Sequence, residues 1–248
     1  MKNLFRDNRL KFNWQLGLTL IMLFGIPRFL VVLEANRTGN YNFTSLIFII
    51  MWLTPFLLLK KEGRKMIGIT WTNKVQWLVI SFVLGILACT IVFFLGYYLY
   101  QDTIENWFVY ISNSYGNIPI NELTGKDRHI FFVLFALIGM TFSPIGEELV
   151  YRGLIHQSFV PGFGNNKASI FDSLAFATVH LAHFGILFTD GYWKVLVVPA
   201  ILWMTLMFLT SRLFFYCKNK SESIYGAIAG HAGFNLAMTY FIFYHIIK

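Results

Sequence analysis

Charge is scarce in this chain. Asp, Glu, Lys and Arg make up 13% of its 248 residues, about half the share of an ordinary soluble domain. Cysteine is scarcer still. Cys89 and Cys217 lie in or beside apolar runs, without Cys-x-x-Cys or Cys/His spacing, so no disulfide framework is indicated. The basic amino end runs into an apolar segment with no small-x-small cleavage site after it, which favours a membrane helix over a cleaved signal. No internal repeat, low-complexity tract or linker divides the chain, and one membrane domain over 1–248 is expected. What remains is apolar: 56% hydrophobic and 19% aromatic, with 27 Phe. That excludes disorder and exceeds what a soluble fold of this length can hide. The implied solvent is lipid.

The apolar runs set the fold class. Seven spans are expected, at about 13–34, 43–59, 77–100, 130–151, 169–188, 195–217 and 224–247, each near the ~20 residues a bilayer requires. An eighth short or re-entrant helix over 153–168 is the variant. The expected architecture is therefore all-α, a polytopic membrane helix bundle of seven or eight transmembrane helices. A polar stretch over 101–128 carries Asp102, Glu105, Glu122 and Asp127.

The formal net charge of +8 could suggest nucleic acid, but the basic residues cluster between apolar runs and no nucleic-acid partner is expected. The alternating topology puts Lys2, Arg6, Arg9, Lys11, Lys60, Lys61, Arg64, Lys65, Lys74, Arg152, Lys167, Arg212, Lys218 and Lys220 on one side. Arg37, Lys126, Arg128, Lys194 and Lys248 fall on the other. The positive-inside rule then places the amino terminus in the cytoplasm. Arg28 falls within the first span, directly after Pro27. A kink near the far interface is the plain expectation for it.

Ionisable groups inside apolar runs point to function by default, and three groups stand out. Glu147 and Glu148 end the fourth span; side chains about 100° apart on a helix cannot share a face, so the two do different jobs. Glu148 and Arg152 have the i,i+4 spacing of an ion pair, which leaves Glu147 free to act as acid or base. The plain alternative is an acidic pair at a loop edge. His180 and His183 are at i,i+3 in the fifth span, and either can be simply a satisfied interhelical donor. His231 and Asn235 share a face of the last span, where Asn235 offers an amide for an oxyanion or serves as glue between close-packed helices. Together, a carboxylate, imidazoles and an amide are the parts of a hydrolase that uses water directly.

Glu147-Glu148-x-x-x-Arg152, Phe176-x-x-x-His180 and His231-x-x-x-Asn235, in this order, resemble the three motifs of the CAAX-protease and bacteriocin-processing (CPBP, or Abi) intramembrane proteases. The resemblance covers roughly 130–240. It implies a membrane endopeptidase, its catalytic core in that stretch and its site open to the cytoplasmic side. Carried over, Glu147 would activate water with help from His180. His231 and Asn235 would stabilise the oxyanion, while Glu148 would be held by Arg152. No cofactor is favoured. The alternative is zinc on Glu147, His180 and His231, although the pattern is not His-Glu-x-x-His. His183 is outside the motifs; it either lines the cavity or bonds a neighbouring carbonyl, and the structural part is the one expected. Expected partners are the bilayer and a peptide or membrane-protein substrate, and the expected location is a bacterial plasma membrane. A non-catalytic membrane immunity or scaffold protein of the same fold is the main competing function. A transporter ranks below it, because matching repeated halves are not found.

Overall fold

The computed structural model describes residues 4–41, 43–115 and 125–247; Lys2, Glu122 and Lys248 lie outside them. Among the described residues the fold is helical apart from one small hairpin. Helix α1 spans Trp14–Thr38, α2 Thr44–Leu58, the short α3 Lys61–Met66 and α4 Gln76–Tyr100. A short α5, Trp107–Ser112, continues into a 3-10 turn, Asn113–Tyr115. Helix α6, Gly125–Glu147, passes into a wide π-helical segment, Glu148–Ile155, and on into α7, His156–Val179. A 3-10 turn over His180–Ala182 follows. The hairpin strands are β1, Ile186–Thr189, and β2, Tyr192–Val195. Helix α8 covers Val197–Ser221, and α9 covers Ile224–Phe241, with a terminal π turn, Ile242–Ile246.

The chain is a multi-pass helical membrane protein. α1, α4, the long run Gly125–Ala182 and α8 are each long and apolar enough to cross a bilayer, and α2 is a shorter apolar helix. α1 shows how such a helix is made. The side chain of Asn13 caps its first turn by accepting the Leu16 N–H at 2.8 Å, and Gly39, at φ 72°, ends it in the left-handed conformation. Leu18, Met22, Ile26 and Leu30 face outward, whereas Leu20, Phe24, Arg28 and Val32 are buried. Apolar side chains meet lipid and a charge lies inside, the reverse of a water-soluble helix.

Two sequence expectations change and a third is refined. α1 runs through Pro27 as one helix, and Arg28 points into the bundle. The fifth span ends near residue 182 instead of 188, because Asp190 and Gly191 adopt positive φ (53° and 85°) and fold Ile186–Val195 into an antiparallel hairpin. Within 153–168 the π segment feeds into α7, and non-helical Gly164 (φ 73°, ψ 167°) divides α7 into two helices, a short one ahead of it and a longer one after it, in keeping with the expected short extra helix.

α9 lies at the centre, packed on α4, α6 and α8. Close approach to α4 depends on glycine, since a Cβ on Gly85 would collide with the Gly230 carbonyl and one on Gly233 with the Phe82 carbonyl. Most basic residues lie toward one end of the bundle. There Phe5 pairs with Leu59 in a single β-bridge, and Phe5, Leu59, Ile67, Leu154 and Ile155 are buried.

Candidate active site

The junction of α6 with the π segment sends adjacent carboxylates to different partners. Glu147, the last residue of α6, places Oε1 3.0 Å from Arg28 Nη2 on α1, and Oε2 3.9 Å from His180 Nε2. Glu148, the first residue of the π segment, places Oε1 2.8 Å from His231 Nδ1 on α9, and Oε2 3.1 Å from Arg152 Nε. The last contact is an ion pair without hydrogen-bond alignment. Wide π turns inside longer helices recur at functional sites, and this one aligns Glu148 with Arg152.

The Glu148 side forms a rigid support. Arg152 Nη2 donates to Ser211 Oγ at 2.7 Å, and its guanidinium covers the Phe176 ring at 4.2 Å. Lys218 donates to the Arg152 carbonyl at 2.6 Å. His231 stacks on Phe214, with centroids 4.8 Å apart and planes at 15°. With Nδ1 directed at Glu148, its Nε2 is left for the cavity.

On the other side, Glu147 and His180 line a cavity. His180 Nδ1 is 2.7 Å from the Phe176 carbonyl. A carbonyl only accepts, so hydrogen bonding assigns the proton to Nδ1, and the neutral ring carries its lone pair on Nε2. Trp203 Nε1 donates to the His180 carbonyl at 2.9 Å, fixing the backbone beneath. Glu147 Oε2 is buried without a hydrogen-bond partner. Its 3.9 Å separation from Nε2 is too long for a hydrogen bond and suits one bridging water.

Sequence reasoning undervalued Arg28. Its charge inside an apolar run was visible, but its partners lie far away in sequence. Beyond Glu147, its Nη2 lies 3.5 Å from His180 Nε2 and 3.4 Å from His183 Nε2. The expected kink therefore gives way to a buried ion pair, and His183 lines the site.

Asn235 reaches the cavity wall but turns its amide toward α6. Its Nδ2 is 2.9 Å from the Gly139 carbonyl and 3.2 Å from Ser143 Oγ. Both amide hydrogens are so engaged, and in this arrangement Asn235 ties α9 to α6.

These groups line a cavity of about 210 Å³, walled also by Phe48, Phe176, Trp203, Met207 and Phe214. It continues toward Ile111, Ser114 and Tyr115. Every residue of Glu148–Ile155 is buried beside it.

Among the described residues, no group of three or more His, Cys, Asp or Glu could hold a metal ion. The cation beside Glu147 is the Arg28 guanidinium, 3.0 Å away.

A buried carboxylate and imidazole facing one cavity within a multi-pass helical bundle define the class: a membrane protein with a polar site in its apolar interior. Residues 129–237 match the family model described as type II CAAX prenyl endopeptidase Rce1-like, so over that stretch the chain is similar to this protease family. The match includes Glu147, Glu148, Arg152, His180, His231 and Asn235 and excludes Arg28. No curated protein and no solved structure matched the chain.

Proposed function

We propose that the protein is an intramembrane endopeptidase in which Glu147 and His180 activate water without a metal. The observation that carries this reading is the unpartnered Glu147 Oε2, buried 3.9 Å from the lone-pair nitrogen of His180. Water held between them gives a proton to Glu147 as its oxygen attacks the scissile carbonyl carbon, and Glu147 returns that proton to the leaving amine. Phe176 orients His180 from its carbonyl, and Glu148 with Arg152 fixes His231 at the cavity wall. With the basic end in the cytoplasm, the peptide reaches the site from the bilayer or from the opposite face. The family supports peptide-bond hydrolysis; the particular peptide is left to experiment.

The test is cleavage of a mixed synthetic peptide library in detergent by wild-type protein and Glu147→Gln. Gln keeps an acceptor oxygen for Arg28 but cannot take a proton. At least one peptide should be cut only by the wild type. Equal product patterns would overturn the reading and favour a non-catalytic membrane protein.

A further inference from the structure

We infer that Arg28 is a catalytic residue of this site, its unused N–H groups receiving the substrate carbonyl oxygen as it becomes an oxyanion. The inference rests on the endopeptidase reading and adds to it a residue from outside the family-matched stretch. Arg28 is buried on α1, and its side chain is 4% exposed. One nitrogen, Nη2, is held by Glu147, His180 and His183, so the guanidinium is fixed in place. Nε and Nη1 have no hydrogen-bond partner. Leaving charged donors unsatisfied in a dry interior is expensive, and a ligand that completes them removes that penalty.

There is room for one. Arg28 lines the main cavity and also a side cavity of about 100 Å³ shared with Val32, Tyr41, Thr44, Ser114 and His183. The guanidinium touches both members of the Glu147–His180 pair, so an oxygen on the attacked carbon forms within reach of it. Asn235, the neutral donor on the cavity wall, has its amide hydrogens on α6. In the step, water oxygen bonds to the carbonyl carbon, its proton passes to Glu147, and the carbonyl π pair moves onto oxygen, which accepts N–H bonds from Arg28. On collapse that pair re-forms C=O, the C–N bond breaks, and the amine departs with the proton from Glu147. Preorganised donors aimed at developing charge are a large part of catalysis.

The experiment uses full-length Arg28→Lys and a peptide that wild type cuts and Glu147→Gln does not, together with the phosphinate analogue of that peptide. Loss of an oxyanion donor lowers kcat about 100-fold or more. The expected result is such a fall with KM nearly unchanged and a parallel loss of phosphinate affinity. Wild-type-like kcat, or a rise confined to KM, overturns the inference; the latter outcome makes Arg28 a ground-state anchor. Should Arg28→Lys fail to fold, phosphinate binding is compared between Glu147→Gln and the double variant Glu147→Gln/Arg28→Gln, where both side chains are neutral. Equal affinities there sink the oxyanion role. If no peptide distinguishes wild type from Glu147→Gln, the endopeptidase reading fails and this inference with it.

Discussion

Arg28 on α1 and Glu147 at the end of α6 form a salt bridge of 3.0 Å in which neither side chain is more than 4% exposed. Breaking a buried pair from one side strands the other charge and costs about 3–5 kcal/mol. Arg28→Met should therefore lower the unfolding temperature in detergent, and adding Glu147→Gln to it should recover part of the loss. Thermal unfolding of the four proteins in a double-mutant cycle reads the coupling. Additive losses would show that the pair contributes nothing as a pair.

The support behind His231 is tested through Arg152. Arg152→Lys keeps the charge but loses the planar stack on Phe176 and the directed bond to Ser211, and such a change is not conservative. The expected loss is about 1–3 kcal/mol of stability, accompanied by reduced peptide cleavage as Glu148 and His231 lose their fixed geometry. Unchanged cleavage with reduced stability would confine Arg152 to folding.

Access to the cavity can be mapped by labelling. Cys89 and Cys217 are buried, so they form a quiet background for introduced cysteines. Ser114→Cys should react with a membrane-impermeant maleimide added to intact cells, and Lys65→Cys should react only after the cells are opened. The reverse pattern would invert the orientation read from the basic residues.

Close packing of α4 on α9 is equally exposed to test. Gly85→Ala sets a methyl group against the backbone of Gly230. Overpacking of a tight interior typically costs about 1–3 kcal/mol, and because the obstacle is backbone the upper end is expected. Loss of folded protein, or a lowered unfolding temperature, is the readout; Gly125→Ala, which meets nothing nearby, is the control.

Chelation is a further check on the metal-free reading. Protein stripped with a strong chelator should cut the same peptide at the same rate, and elemental analysis should find substoichiometric zinc. Activity lost on stripping and restored by zinc would overturn it.

Much of this was legible in the sequence, and the remainder was hidden for identifiable reasons. Apolar runs located α1, α4 and α8 closely because a bilayer demands length and hydropathy together. Adjacent Glu147 and Glu148 announced separate tasks through helix geometry alone. The hairpin was encoded too, in Asp190-Gly191, a strong two-residue turn signal, but it was masked by the apolar residues leading into it. The π segment was not readable, since it depends on contacts that Glu148 and Arg152 make with other helices. Arg28 was visible as an anomaly, yet nothing local names Glu147, His180 and His183 as its neighbours. Asn235 showed a donor in the sequence, and only the fold shows that donor turned toward Gly139.

Because the cation beside Glu147 comes from α1, the stretch 129–237 is not a self-contained unit that could be transplanted with its electrostatics intact. The first helix is a component of the centre as well as a membrane anchor. Grafting it from another protein, even one of equal length and hydropathy, would rewrite the charge balance around Glu147. Chimaeras divided between α4 and α6 should therefore behave as enzymes with an altered centre, however faithfully the grafted helices insert.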